Sequence, residues 1–155
     1  MRRFETECRV AHSADNMLRL VADVERYPEF VPLCTGLQIR DRRMRDEAEI
    51  LTCAMSVGYK SIAESFTCEV SVLEAERQID VRYLSGPFKR LDNRWRFEPL
   101  GASACEIHFF IAYEFRSMAF QLLAGAVFDK AFSRFVDAFR ARADEVYGTD
   151  GNHFA

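Results

Sequence analysis

The sequence predicts an α+β fold in which a curved antiparallel sheet of about seven strands wraps around one long C-terminal helix. Three observations predict it. Apolar and polar residues alternate through most of residues 35–116, the period of strands with one buried and one wet face. From Ser117 to about Tyr147 the period becomes helical. A sheet that is wet on one side must bury the other under amphipathic helices.

Residues 3–10 alternate as a first strand. Ser13 is placed to cap a helix over about residues 14–25, and Asp15 suits the positive end of its dipole. Met17, Leu20, Val21 and Val24 fall at i, i+3, i+4 and i+7 and form one apolar stripe. Pro28 ends or restarts that helix, because proline supplies no donor and restricts the residue before it. The connector YPEFVPLC (27–34) is stiff and too apolar for an ordinary surface loop.

In the strand region, Ile62, Phe66, Cys68, Val70 and Val72 share one face, and Ser61, Ser65, Thr67, Glu69 and Ser71 the other. Ile79, Val81 and Tyr83 alternate with Asp80 and Arg82. Leu91, Asn93, Trp95 and Phe97 alternate with Asp92, Arg94, Arg96 and Glu98. Cys105, Ile107, Phe109, Ile111, Tyr113 and Phe115 alternate with Glu106, His108 and Glu114. Gly58, Gly86-Pro87 and Pro99-Leu100-Gly101 mark turns. In the final helix Phe128, Phe132, Phe135 and Phe139 line one face, and Gly148 can stop it. A helix of ~30 residues is about 45 Å long, enough to cross the concave face of the sheet. Its opening stretch SMAFQLLAGAVF (117–128) is apolar nearly all round, so it packs in the core, walls a cavity or faces a membrane. Residues 1–148 form one domain, followed by a disordered tail, 149–155.

Twenty-one basic and 24 acidic residues leave a formal charge of −3, which argues against whole-surface attraction to nucleic acid; no DNA partner is expected. Fourteen phenylalanines mean either a thick core or a greasy cavity. Five cysteines without a C-x-x-C pair read as free thiols in a reducing cytosol. Neither a signal peptide nor an apolar run of ~20 residues is visible, so a cytoplasmic protein is expected, touching a membrane only at its surface.

Familiar catalytic and nucleotide-binding motifs are missing from the sequence. The histidines are scattered at positions 12, 108 and 153, so no triad, metal site or cofactor is expected. Two polar residues share apolar strand faces: Asn93 with Leu91 and Trp95, and Glu64 with Ile62 and Phe66. Buried, each needs a partner, whether a side chain, water or a ligand. Arg82, Arg94 and Arg96 make either a small basic patch or a solvated face balanced by Asp80, Asp92 and Glu98.

LVADVERYPEFVPLC (20–34), GYKSIAESFTCEV (58–70), GPFKRLDNRWRF (86–97), YEFRS (113–117) and the phenylalanine-studded helix that follows resemble the coenzyme Q-binding protein family. That family belongs to the START-like, polyketide cyclase/dehydrase superfamily and includes a bacterial ribosome-association toxin branch. The resemblance spans roughly residues 3–148. It implies a helix-grip fold with a lipophilic cavity between sheet and helix. It also implies non-catalytic binding of ubiquinone or a polyprenylated precursor at the inner membrane face, in support of respiration and quinone synthesis. Two alternatives stay open: a regulator that binds the large ribosomal subunit, and an aromatase/cyclase. For the quinone reading, Asn93 and the indole N–H of Trp95 are candidate donors to the quinone oxygens. Strand alternation and helix spacing offer Phe66, Tyr83, Phe109, Tyr113, Leu123 and Val127 as walls. Phe30 and Val31 are candidates for the cavity mouth.

Overall fold

A first strand, β1 (Arg2–Val10), leads into α1 (Ala14–Ala22) and a 3-10 helix over Val24–Glu29. Ser13 caps α1 as expected, its Oγ accepting the Asn16 N–H at 3.0 Å. Six strands then run as a meander: β2 (Cys34–Arg45), β3 (Ala48–Tyr59), β4 (Ile62–Leu73), β5 (Gln78–Ser85), β6 (Phe88–Pro99) and β7 (Cys105–Phe115). β1 returns to pair with β7, so the order across the sheet is β1-β7-β6-β5-β4-β3-β2, all antiparallel. The computed structural model describes residues 2–148, and the tail expected to be disordered lies outside the described residues. The α+β architecture with a seven-stranded antiparallel sheet is the one the alternation predicts, and the helix grip is the one the resemblance implies.

Two expectations about helices need correction. The first helix does not reach residue 25: it ends at Ala22, and Pro28 sits inside the 3-10 helix. The long C-terminal helix is two helices, α2 (Met118–Ser133) and α3 (Phe135–Tyr147), joined at Arg134. Ser133 Oγ donates to the Lys130 carbonyl at 2.8 Å, the carbonyl that Arg134 N–H would take in an unbroken helix. Arg134 N–H bonds Ala131 O instead, at 3.1 Å. A serine hydroxyl competing for an i−4 carbonyl is a known source of helix bending. Gly148 closes α3, its N–H bonding Asp144 O at 2.9 Å.

The phenylalanine excess sits where sheet meets helix. Phe88 on β6 is fully buried and touches five rings, with centroids 5.2–5.9 Å away: Phe66, Tyr83, Tyr113, Phe115 and Phe128. Trp95 meets Phe109 at 4.6 Å and Phe139 at 5.0 Å. Most of these pairs are edge to face, the arrangement the ring quadrupole favours. The turn before β6 depends on Gly86 (φ +144°): a Cβ there would stand 2.4 Å from Phe66 Cβ. Before β2, Leu33 adopts a left-handed backbone (φ 69°), and its carbonyl accepts the Gly58 N–H at 3.0 Å.

Candidate functional site: an apolar cavity under the C-terminal helices

Between the concave face and the helices lies a cavity of ≈ 80 Å³. Its sheet wall is built from alternate residues of successive strands: Leu37; Cys53, Met55 and Val57; Phe66, Cys68 and Val70; Ile79 and Val81; Leu91, Asn93 and Trp95; and Ile111. The helices add Phe128, Ala131, Phe132, Phe135 and Phe139, and the 3-10 helix with its following turn adds Val24, Tyr27, Pro32 and Leu33.

Polar groups in this wall are few. Asn93 Nδ2 donates to the Phe110 carbonyl at 2.9 Å, which leaves its second N–H and its oxygen. The indole N–H of Trp95 finds no partner among the described residues. Tyr27 turns its hydroxyl onto the Val21 carbonyl, and burial pushes that phenol well above its usual range. Burial pushes the Cys53 thiol up to about 11 and the Cys68 thiol up to about 12, so both stay neutral near pH 7. The wall is therefore uncharged. It can solvate an apolar body and meet a carbonyl with one or two hydrogen bonds.

Of the sequence-predicted residues, the structure brings Phe66, Asn93 and Trp95 into the wall. The others lie elsewhere. Phe109 is buried behind Trp95, between Phe4 and Phe135. Tyr113 is buried with its hydroxyl donating to Asp129, which also accepts Arg2 Nε at 2.7 Å. That pairing ties α2 to β1 and β7. Arg2 holds the Asp129 carboxyl below its ordinary range, and burial holds the Tyr113 phenol above its own. Tyr83 bends over the β5–β6 turn, where its hydroxyl accepts the Phe88 N–H at 3.0 Å. Val127 packs against the core outside the wall, and Leu123 is 58% exposed on the far side of α2. Val31 is buried, and Phe30 packs edge to face on Phe139 at 5.0 Å, so the connector's contribution to the wall comes from Tyr27, Pro32 and Leu33 instead.

The helix residues that do line the cavity belong to the phenylalanine stripe already legible in the sequence. Its phase, carried back by fours from Phe132 and Phe128, reaches Ala124 rather than Leu123. Glu64 pairs in register with Val57 and is not part of the wall. On the outer face, Arg82 is paired with a carboxylate and Arg94 lies over an aromatic ring. Arg82 and Arg43 both reach the buried Glu69, and Arg94 and Arg3 both lie over the Phe110 ring, 4.9 and 5.1 Å from its centroid.

Known proteins place this arrangement in a family. Residues 10–140 match the family described as polyketide cyclase / dehydrase and lipid transport. The chain belongs to that family. Among curated proteins similar to it, the ribosome association toxin RatA of Escherichia coli (strain K12) is 37% identical over 138 residues, covering 89% of this chain and 84% of that protein. The coenzyme Q-binding protein COQ10 homolog B, mitochondrial, of Xenopus laevis is 30% identical over 140 residues, covering 88% of this chain and 55% of that protein. The solution structure of the 18 kDa protein CC1736 from Caulobacter crescentus shares the fold at a TM-score of 0.76. It is 34% identical, with 96% of this chain and 99% of that one covered. The family's fold and the resemblance read from the sequence agree. No helix among the described residues is long and apolar enough to cross a membrane.

Proposed function

We propose that the chain binds ubiquinone or a polyprenylated precursor in this cavity without transforming it. The observation that carries the reading is the wall itself: uncharged, apolar on the six strands that build it except at Asn93, and with the Asn93 amide and the Trp95 indole as its candidate donors to a quinone oxygen. Hiding an isoprenoid tail from water is worth about 0.8 kcal/mol per CH₂, so a greasy container with few donors is what such a ligand needs. At ≈ 80 Å³ the cavity is smaller than the ~300–1,000 Å³ of a typical ligand pocket, so loading requires the wall to part. The wall best suited to move is α2. Its outer side exposes Met118 (75%), Leu122 (86%) and Leu123, and its first turn carries no acidic residue. Those side chains support peripheral contact with an inner-membrane surface during loading and delivery.

The test is extraction. Protein purified from its native host, untreated with detergent, should release a quinone into organic solvent, at a fraction of one per chain that rises when quinone is supplied. Folded protein that repeatedly releases none, and takes up none from vesicles, overturns the reading.

A second reading is favoured by the relatives named ribosome association toxin, the RatA of Escherichia coli among them. It expects co-sedimentation with the large ribosomal subunit and loss of assembled ribosomes on overexpression. Unchanged ribosome profiles would reject it without touching the quinone reading.

A further inference from the structure

Charge is sorted between the two ends of the sheet. β3 turns into β4 through Lys60 and Ser61, β5 into β6 through Gly86 and Pro87, and β7 leads to α2 through Arg116 and Ser117. The ladders put these three connections at one end: Tyr59 pairs with Ile62, Ser85 with Thr67, and Phe115 with Phe88. The Arg116 N–H bonds the Pro87 carbonyl at 3.0 Å and ties two of them together. None of the three contains a carboxylate, and Lys89 and Arg90 open β6 just after Pro87. The opposite end is acidic. Asp46 and Glu47 turn β2 into β3, and Glu74 and Glu76, with Arg77, turn β4 into β5. The chain as a whole carries −3, so the basic end comes from arrangement rather than composition.

Exposed apolar surface is sorted the same way. Of the eight large apolar side chains exposed among the described residues, five stand at the basic end: Tyr59, Leu84, Met118, Leu122 and Leu123. Lys60 lies over the Tyr59 ring, 5.4 Å from its centroid, so a cation and an apolar body share the hairpin tip. Carboxylates enter only within the strands, as Glu64 on β4 and Glu114 on β7, and Arg90 meets the second at 3.6 Å. Lys60 and Lys89 are both exposed and make no ion pair among the described residues. The cavity wall reaches this end too, because Gly58, beside the hairpin tip, donates to the carbonyl of Leu33. An RNA would use the cations and leave the leucines bare. A bilayer with anionic headgroups uses both, phosphate for the cations and the acyl boundary for the leucines.

We propose that this end docks on a bilayer carrying anionic phospholipid. Met118, Leu122 and Leu123 enter the acyl boundary, and Lys60, Lys89 and Arg116 meet headgroup phosphates. The acidic end is repelled and turns to water, which fixes the orientation and sets the start of α2 and the Leu33 side of the wall against the lipid. Headgroup chemistry and orientation go beyond the apolar contact of α2 described above. The docking rests on the quinone reading, whose loading step needs a lipid surface.

The experiment floats the full chain with quinone-free vesicles, either phosphatidylcholine alone or equal parts phosphatidylcholine and phosphatidylglycerol. Binding should be more than about 10-fold tighter to the anionic vesicles at low salt. It should fall steeply at about 1 M salt, where the Debye length is ~3 Å. Lys60→Gln combined with Lys89→Gln should weaken it by roughly 5-fold per charge, about 25-fold together, with an unchanged melting temperature. Arg45→Gln, beside the acidic β2–β3 turn, should bind as the wild type does. Equal binding to both vesicles, or wild-type binding by the lysine variant, overturns the proposal. So does an Arg45→Gln loss as large as the lysine one, which would reduce the effect to net charge. Lysine variants that keep vesicle binding but lose ribosomal RNA would assign the cations to RNA, and a dimer dispersed by Leu122→Ser would assign the apolar surface to a second copy; either overturns it. Because the vesicles hold no quinone, failure here leaves the extraction result standing, and a protein that binds vesicles yet releases no quinone loses the cargo reading alone.

Discussion

Trp95 on β6 and Phe139 on α3 meet edge to face, their ring centroids 5.0 Å apart at 72°, and both rings border the cavity. The contact ties the sheet to the last helix and places the protein's single tryptophan at the candidate site. Its emission should therefore report on the cavity. A short-chain ubiquinone added to delipidated protein should quench Trp95 fluorescence saturably, while a saturated alkane of similar length should not. Trp95→Phe keeps an aromatic ring but removes the N–H donor. Its expected loss of quinone affinity is about 1 kcal/mol, roughly five-fold, the net worth of one hydrogen bond. Unchanged retention in Trp95→Phe, measured by solvent extraction, would remove the indole from the site.

The connector YPEFVPLC is more plug than rim. Val31 is 4% exposed, and Phe30 sits between Tyr27, Phe139 and the guanidinium of Arg142, which lies 5.0 Å over its ring. Replacing both Phe30 and Val31 with serine should cost about 3–5 kcal/mol, the range for emptying a large buried apolar site. For a chain of this size that lowers the melting temperature by about 10 °C. A calorimetric scan decides it. A shift of less than about 2 °C, with quinone retention lost, would return these residues to the cavity mouth.

Much of the fold was legible because strand parity is a two-valued property. Once Leu91 and Phe97 face the core, Asn93 and Trp95 must face it too, and both line the cavity. Parity says which way a side chain faces but not what covers it. Phe109 and Tyr113 face inward as expected, yet Phe135 packs over the first, and Phe132 and Asp129 over the second. Helix phase was harder to read. Residues 118–128 are apolar nearly all round, so nothing local distinguishes exposed Leu122 and Leu123 from buried Ala124 and Phe128. The break at Arg134 left no proline or glycine to mark it, since a serine hydroxyl makes it.

The exposed side of α2 has its own prediction. Leu122 is 86% exposed and Leu123 58%, so replacing both with serine should change stability by less than about 0.5 kcal/mol each. Each leucine buried in a lipid interface is worth about 1.5–3 kcal/mol. The double variant should therefore bind anionic vesicles more than about 100-fold more weakly in a flotation assay, with quinone transfer between vesicles slowed in parallel. Normal vesicle binding by the variant would exclude this face from membrane contact.

The tie between α2 and the sheet makes a pH prediction. Asp129 accepts from Arg2 and Tyr113, and Arg2 holds its carboxyl below the ordinary value. A carboxyl with a lowered folded-state pKa stabilises the fold at pH above its unfolded value, about 3.9, and loses that contribution as pH falls through the folded value. Asp129→Asn removes the charge and keeps the shape. Because Arg2 and Asp129 are 40% and 36% exposed, solvent screens the pair, and the variant should lose only about 1 kcal/mol or less at pH 7. Urea midpoints should show that gap constant from pH 5 to pH 8, beginning to close below about pH 4 as the unfolded-state carboxyl takes up its proton, and gone once pH falls through the lowered folded value. Tyr113, its phenol held above the usual range by burial and by Asp129, remains a donor throughout that span and adds no slope of its own. The same variant should load quinone faster than the wild type in stopped-flow quenching of Trp95, because freeing α2 from β1 lowers the barrier to parting the wall. A gap that widens toward low pH, or loading that slows, would show that Asp129 does not act as the tie.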